Sequence, residues 1–188
     1  MPTITDWLRK KAPCVELPVS TLAGQFVARY SEKGLVGLNF PRVGTHRRGV
    51  RSKFLRDDHR TPRRGVPTPI HRWHRAATAA LKKILAGRSP GKFPPLDLSN
   101  GTTFQQKVWN ALRKIPTGKT KSYGEIARAI GKPKAVRAVG GACGANPIPV
   151  LVPCHRVLTA NGKIGGFSGG LNRKRKLLRR EGVKILAP

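Results

Sequence analysis

A thiol and an imidazole stand side by side in the stretch PVLVPCHRVL, residues 149–158. Cys154 and His155 directly follow an apolar run and a proline. The apolar run predicts a buried strand, and the thiol is expected at its end, facing a partly buried pocket. A free thiol has a pKa of about 8.5 and is only a few per cent thiolate at neutral pH, so a nucleophilic Cys154 needs a base.

A proton relay from this cysteine would need two further groups. Neighbouring residues of an extended segment point in opposite directions, so a bridging water, rather than direct contact, would connect Cys154 to His155. A carboxylate that orients His155 would complete the relay, as in a catalytic triad. Of the eight acidic residues, Glu181 is the best candidate in the second half of the chain, since Glu125 is expected to cap a helix. An inert buried thiol remains the alternative.

The charge of the chain indicates a polyanionic partner. The 188 residues include 38 Lys and Arg against 8 Asp and Glu, a formal net charge of +30. Such an excess favours nucleic acid, with an anionic membrane surface as the rival. No apolar run approaches the roughly 18–20 residues that span a bilayer, and the N-terminus lacks the apolar region of a signal peptide, so an intracellular protein is expected. Three cysteines without a CxxC motif predict neither a disulfide framework nor an all-cysteine zinc site.

The first half of the chain predicts a small sheet and one helix. QFVARYSEKGLVGLNF has the alternation of two strands around a turn at residues 31–34. Residues 42–69 are rich in Arg and poor in large apolar residues, which predicts a basic loop. HRWHRAATAALKKILAG is an amphipathic helix pattern that Gly87 ends. The Pro- and Gly-rich connection that follows predicts a boundary between domains at residues 1–95 and 96–188.

The second half predicts helices with a helix-turn-helix pair among them. TFQQKVWNALRKIPTG is an amphipathic pattern, and Ser122 with Glu125 forms a capping box at the start of the next helix. Pro133 suits the first turn of the helix after that, and a tight turn between the two makes a helix-turn-helix candidate.

The second helix of that pair is almost bare of large side chains. Gly140 and Gly141 each cost about 1 kcal/mol relative to Ala in a helix interior, which close approach to another surface would justify. Arg137 is the one long cation among residues 135–144, and an exposed Arg on a slim helix suits a DNA groove. Tight packing against the protein's own core is the alternative.

Five motifs in this order resemble the O6-alkylguanine-DNA alkyltransferases, the methylated-DNA–protein-cysteine methyltransferase family. They are SYGEIA (122–127), KAVRAVGGACGANP (134–147), PCHRV (153–157), FSGGL (167–171) and LLRREG (177–182). The resemblance is strong from about residue 96 to residue 183 and weaker before it. Phe167 departs from some relatives, which carry a tyrosine there.

The resemblance implies a role for each residue of the relay. Cys154 would attack the alkyl carbon on guanine O6 in an in-line displacement, His155 would deprotonate it through a water, and Glu181 would orient His155. Asn146 would brace the active-site turn through hydrogen bonds. Tyr123 would help to rotate the nucleotide out of the duplex and would donate a proton to the leaving guanine.

The resemblance also implies how DNA is held. Arg137 would fill the gap in the base stack, and the slim helix with Ala135, Gly140 and Gly141 would lie in the minor groove, with Tyr123 beside it. Backbone groups of Cys154 and Val157 would read the flipped base. The side chains expected around that base are those of Pro149, Val157, Phe167 and Ser168.

The whole protein that the resemblance implies is α+β. A small RNase H-like sheet-and-helix domain would precede a mostly helical winged helix-turn-helix domain. It would be a cytoplasmic monomer, associated with the nucleoid in a prokaryote, with no membrane contact, acting once on O6-alkylguanine or O4-alkylthymine in double-stranded DNA. No cofactor or metal is expected, because the protein itself accepts the alkyl group.

Other functions fit fewer of these residues. Alkyltransferase-like proteins recognise alkylated DNA without chemistry, and they lack the acceptor cysteine that this chain has at Cys154. A basic structural nucleic-acid protein would leave the PCHRV motif, Tyr123 and Glu181 unexplained. A Cys–His hydrolase would not explain the slim helix or Arg137.

Overall fold

The computed structural model describes residues 14–41 and 68–185. An antiparallel sheet comes first, with strands in the order β1 (Val15–Thr21), β2 (Gly24–Ser31) and β3 (Gly34–Asn39). The predicted hairpin is confirmed as β2 and β3. β1 lies outside the sequence prediction because Pro18 interrupts its pattern, and as an edge strand it tolerates a proline.

The rest of the described chain contains five α-helices and a short parallel strand pair, and the predicted α+β class is confirmed. The helices are α1 (Thr68–Leu85), α2 (Thr103–Arg113), α3 (Tyr123–Ala129), α4 (Val136–Gly144) and α5 (Leu171–Arg180). The parallel pair is β4 (Lys121–Ser122) with β5 (Val157–Leu158). Within the described residues, no helix combines the length and apolar character needed to cross a bilayer.

The basic loop predicted at residues 42–69 lies almost entirely outside the described residues. Its last two residues, Thr68 and Pro69, already belong to α1, so that end of the prediction is wrong. Proline is tolerated in a first helical turn, where its missing N–H has no helical partner. Proline therefore marks the start of this helix rather than the end of the loop.

Side-chain caps set the starts of two helices in the second half. Ser122 Oγ accepts from the Glu125 N–H at 3.1 Å, and the Ser122 N–H donates to Glu125 Oε2 at 2.7 Å, which confirms the predicted capping box. Thr102 and Gln105 form a second box at the start of α2. The box at Ser122 makes Tyr123 the first residue of α3. The position of Tyr123 is therefore fixed by the start of the helix.

The helix-turn-helix pair consists of α3 and α4. The turn between them uses Gly131 at φ 71°, in the left-handed region. α4 begins at Val136, so the prediction that Pro133 lies in its first turn is wrong. Ala135, rather than a residue with a capping side chain, stands at the start of α4.

Backbone hydrogen bonds and one continuous apolar core join the sheet to the second half. The Leu35 N–H donates to the Pro95 carbonyl at 2.8 Å, and the Leu38 N–H donates to the Pro147 carbonyl at 2.9 Å. Gly34, at φ 144°, lies so close to Pro95 that a Cβ would meet its carbonyl oxygen at 2.3 Å. Buried residues of both halves share the core. The division at residues 95 and 96 stays a prediction.

The segment before Cys154 is not the strand that its apolar run predicts. Val150 has φ 74°, in a left-handed conformation that is rare for a β-branched residue, and the segment turns there. The Val152 N–H donates back to the Ile148 carbonyl at 2.9 Å, which closes the turn. Val150 and Val152 are both fully buried. The apolar run therefore indicates burial and not strand pairing.

Candidate active site

Cys154 lies in a single 3-10 turn formed by residues 154–156, and it is 3% exposed. Asn146 Nδ2 donates to Cys154 Sγ at 3.1 Å and to the Val152 carbonyl at 2.8 Å. Asn146 Oδ1 accepts from the Ile148 N–H at 3.0 Å. One buried amide therefore holds the sulfur and both ends of the loop that precedes it.

His155 and Glu181 form a buried pair on the other side of the turn. His155 Nε2 lies 3.0 Å from Glu181 Oε1, and both side chains have no solvent exposure. Within the described part of the chain, His155 Nδ1 has no hydrogen-bond partner. The sequence prediction that these two residues meet agrees with this geometry.

Arg156 completes this cluster and was not among the sequence candidates. Its Nε donates to Glu181 Oε2 and one terminal nitrogen donates to Oε1, both at 2.9 Å. The other terminal nitrogen donates to the Ile115 carbonyl at 2.7 Å, and a further contact reaches Thr117 Oγ1 at 3.1 Å. The only sequence signal was the arginine of PCHRV itself, which does not reveal a partner 25 residues away.

The charges of the cluster settle the tautomer of His155. Burial alone would raise the pKa of Glu181, but hydrogen bonds and charge from His155 and Arg156 outweigh it and lower that pKa to about 2. Glu181 is thus an anion that only accepts, so His155 Nε2 carries the hydrogen. Burial lowers the pKa of His155 against the opposing effect of Glu181. The neutral ring therefore leaves the lone pair on Nδ1.

The Cys154 thiol is protonated at rest. Burial raises the pKa of Cys154, although the hydrogen bond from Asn146 and the charge of Lys174 act in the opposite direction. A thiolate would form at neutral pH only together with proton transfer to a base. The pairing of a protonated buried thiol with a neutral imidazole suits a nucleophile that is activated during the reaction.

Aromatic rings surround the turn. The Phe167 ring lies edge-on to His155 with centroids 6.4 Å apart, and Phe40, which directly follows β3, lies edge-on to Phe167 at 5.6 Å. Tyr123 is half-buried, and burial raises the pKa of its phenol. Its hydroxyl lies 3.0 Å from the position that a Cβ on Gly165 would occupy, so only glycine leaves room for it.

The other residues predicted around the flipped base differ in exposure. Pro149 and Val157 are buried, and Val157 belongs to β5. Ser168 is exposed in the loop before α5, next to the half-buried Phe167. The structure thus places these four residues on the two chain segments that follow α4 and precede α5.

The slim helix α4 presents several of its small residues to solvent, although Ala142 and Cys143 are buried. Arg137 and Gly141 are exposed, and Ala135 and Gly140 are partly exposed. A Cβ on Gly141 would meet nothing within 4 Å, and one on Gly140 would meet only the Tyr123 ring at 3.9 Å. Packing against the protein's own core therefore does not explain these glycines.

A fold of this class, with a buried cysteine, a His–Glu–Arg cluster and a helix-turn-helix pair, has known relatives. Residues 103–183 match the family model described as 6-O-methylguanine DNA methyltransferase, DNA binding domain. A methylated-DNA–protein-cysteine methyltransferase of Methanosarcina acetivorans is 60% identical over 108 residues, which are 57% of this chain and 69% of the relative. The chain belongs to the methylated-DNA–protein-cysteine methyltransferase family.

Two further relatives show the similarity of the fold and how much of each chain the match covers. The structure of OGT from Mycobacterium tuberculosis in complex with DNA is similar at a TM-score of 0.66 and 38% identity, over 87% of this chain and 90% of that one. The bifunctional transcriptional activator and DNA repair enzyme Ada of Escherichia coli is 58% identical over 104 residues. Those residues are 54% of this chain and 29% of Ada, so the chain spans less than a third of that relative.

Proposed function

We propose that the protein repairs alkylated DNA by transferring the alkyl group from O6 of guanine, or O4 of thymine, to its own Cys154. The observation that carries this proposal is the buried thiol held by Asn146 beside a neutral His155 that is paired with Glu181. The family relatives named as methyltransferases, and the relative solved in complex with DNA, support the same activity.

The relay of this proposal runs from sulfur to imidazole through water. As the thiol attacks the alkyl carbon, its proton passes by a bridging water to His155 Nδ1, the ring nitrogen that carries the lone pair. Glu181 stabilises the imidazolium that forms, and Arg156 keeps Glu181 anionic. The carbon–oxygen bond breaks as the carbon–sulfur bond forms.

The leaving guanine takes up a proton as its O6–carbon bond breaks. Tyr123 is the donor in this proposal, since its phenol is half-buried and burial keeps it protonated. Phe167 offers a ring wall near His155, and the backbone of Cys154 and Val157 with Ser168 would read the base edge. A thioether is a poor leaving group, so each molecule would act once and need no cofactor.

The target base must leave the stack before the thiol can reach it. Cys154 is 3% exposed, so a base paired within a duplex cannot contact it. The exposed, slim α4 would enter the minor groove, and Arg137 would occupy the gap in the stack. A monomer bound to double-stranded DNA suffices for this arrangement.

Intact-protein mass after mixing with a duplex that carries O6-methylguanine tests the proposal. We expect one gain of about 14 Da, the methylene that methyl-for-hydrogen exchange adds to the thiol, and never a second. Cys154→Ser should abolish the gain, and Cys14→Ser, at an exposed cysteine far from the site in sequence, should keep it. Tight lesion binding without any mass gain would instead indicate a damage-recognition protein.

A further inference from the structure

A groove with an apolar floor lies between the turn that joins β1 to β2, the end of α1, and α5. It consists of two adjoining cavities of about 310 and 690 Å³, both within the range of roughly 300–1,000 Å³ that is typical of ligand pockets. The side chain of Leu22 is fully exposed although it lines both cavities. The apolar residues of the groove include Leu22, Ala23, Phe26, Phe40, Leu85 and Leu177.

Cations surround this floor, and no carboxylate of the described residues lines the groove, which we call the basic groove. The cations are Lys82, Arg88, Arg173, Lys176 and Arg180. Arg180 donates to the Leu85 carbonyl at 2.7 Å, and Arg173 donates to the Pro41 carbonyl at 2.8 Å. A carbonyl does not neutralise a guanidinium, which has five N–H donors, so both arginines are held in place and can still bind an anion.

The chain's own carboxylates do not supply that anion. Four of the five in the described ranges have ion-pair or hydrogen-bond partners outside the groove; they are Glu16, Asp97, Glu125 and Glu181. The fifth, Glu32, is not among the residues that line it. Residues 42–67 have nine Lys and Arg against two Asp, and a second copy carries +30, so charge disfavours both as occupants.

Nucleic acid fits the cations of the basic groove but not its floor. Single-stranded nucleic acid uses aromatic ring faces to stack its bases. The Phe40 ring already has Phe26 and Phe167 beside it and Arg173 over its face. A phosphate backbone would leave the exposed Leu22 and the other apolar residues without a partner. The occupant that matches both features is acidic and carries apolar side chains.

We propose that the basic groove docks an acidic, amphipathic segment of a partner protein. Its apolar side chains would cover the floor, as in helix-in-groove recognition, and its carboxylates would meet the surrounding cations. α1 packs against β1, β3 and α5, whereas α4 packs against α2 and α3. The segment and a duplex held by α4 would therefore occupy different parts of the molecule.

Fluorescence anisotropy with two labelled peptides tests the match of charge and apolar surface. One peptide has leucines at the helical spacing i, i+3, i+4, i+7 and glutamates elsewhere, and the other has serine in place of each leucine. The protein should bind the leucine peptide at least about tenfold more tightly, because each buried leucine adds apolar contact. Equal affinities would refute the proposal.

Substitution of the exposed leucine tests the floor of the groove. Leu22→Ser should weaken binding of the leucine peptide by about tenfold. Leu171→Ser, at another exposed leucine that does not line the groove, is the matched control and should bind as the wild type does. The same affinity for both variants would contradict docking on the floor.

Charge reversal tests the cations at constant net charge. Lys82→Glu combined with Lys176→Glu should weaken peptide binding by about tenfold or more, since it turns two attractions into repulsions. Lys107→Glu combined with Lys132→Glu, at exposed lysines outside the groove, gives the same net charge and should keep the affinity. Equal losses in the two double variants would indicate general charge attraction and refute the proposal.

Hydrogen exchange locates the bound peptide. Amides of residues 20–26 and 82–88 should exchange more slowly in its presence, and protection of α3 and α4 instead would refute the proposal by placing the peptide on the helix-turn-helix pair. A loss of duplex affinity in the Lys82 and Lys176 double variant alone, with peptide binding unchanged, would assign the groove to nucleic acid. None of these measurements uses alkyl transfer, so their outcome does not depend on the proposed function.

Discussion

At the scale of single residues, Glu181 connects the chemistry of the site to the stability of the fold. It accepts from His155 with one oxygen and from Arg156 with both, and its side chain has no exposure. Arg156 in turn holds the carbonyl of Ile115 and the hydroxyl of Thr117, beyond the end of α2. A substitution of Glu181 should therefore affect both the chemistry of the site and the stability of the fold.

Glu181→Gln should lower the free energy of unfolding by about 3–5 kcal/mol, because it leaves the buried Arg156 guanidinium without an anion. Urea unfolding measures this loss. Glu16→Gln, at an exposed glutamate paired with Arg29, is the matched control and should change stability by no more than about 0.5 kcal/mol. A loss at Glu181 no larger than the control would show that the buried pair contributes little.

A double-mutant cycle with Arg156→Met isolates the interaction itself. Once the guanidinium is gone, Glu181→Gln removes a charge that has lost its Arg156 partner, so the substitution should cost less in the Arg156→Met protein than in the wild type. Equal costs in both backgrounds would contradict the pairing.

Sequence reasoning reached some of these residues and missed others for a physical reason. Cys154, His155 and Glu181 have side chains that can act in catalysis. The chain has only 3 Cys, 5 His and 8 Asp and Glu, so there were few candidates to choose from. Arg156 and Lys174 belong to the commonest charge class of a chain with 38 Lys and Arg. Only tertiary structure distinguishes the two buried cations from the many exposed ones.

At the scale of elements, α4 has glycines without a packing partner. The helix pays a conformational cost at Gly141, although the space around its Cα is open. The sequence left two explanations for these glycines open, packing against the core and entry into a DNA groove. Their exposure argues against core packing. The remaining explanation is an external surface that needs a thin helix.

Gly141→Leu should therefore raise stability and weaken duplex binding. We expect a gain of about 0.5–1 kcal/mol in unfolding free energy from helix propensity. Duplex affinity should fall by about tenfold or more, which corresponds to about 1.4 kcal/mol of lost contact. Fluorescence anisotropy with a labelled duplex measures the affinity.

Ala79→Leu is the matched control for this substitution, since it adds a similar side chain to an exposed position of α1. It should leave duplex binding unchanged. A Gly141→Leu protein that binds DNA as tightly as the wild type would show that α4 does not lie against the duplex.

The elements themselves were predictable where local signals are strong. The capping box at Ser122 and the hairpin turn at residues 31–34 are short-range patterns, and both are confirmed. The strand expected before Cys154 was wrong because its turn depends on hydrogen bonds to Asn146 and on an unusual backbone conformation at Val150. Apolar runs do not distinguish a buried turn from a buried strand.

At the scale of the whole molecule, the charge should govern how affinity responds to salt. The chain carries +30 at neutral pH, and residues 42–67 contribute nine Lys and Arg against two Asp, a net +7. Each phosphate contact adds about 0.9 to the magnitude of the slope of log affinity against log salt. The contribution of the basic segment can therefore be measured as a change in slope.

Replacing the nine cations of residues 42–67 by Gln and Ser should flatten the salt slope while transfer at low salt continues. The matched control replaces the eight arginines of that segment by lysine, which keeps the charge and should keep the slope. Binding titrations between 50 and 200 mM salt, roughly the range in which such slopes are read, provide the measurement. Identical slopes for all three proteins would exclude residues 42–67 from DNA contact.

The contact between the sheet and the end of the chain sets an order of events during synthesis. Phe40, directly after β3, packs against Phe167, and Arg173 of α5 reaches the Pro41 carbonyl at 2.8 Å and the face of the Phe40 ring. Arg173 is made 132 residues after Pro41. At about 5–20 residues per second, the ribosome needs roughly 7–26 s to deliver it. For that interval the Phe40 ring beside the nascent sheet lacks the cover that Phe167 and Arg173 provide, so co-translational chaperones should have a defined time window in which to bind it.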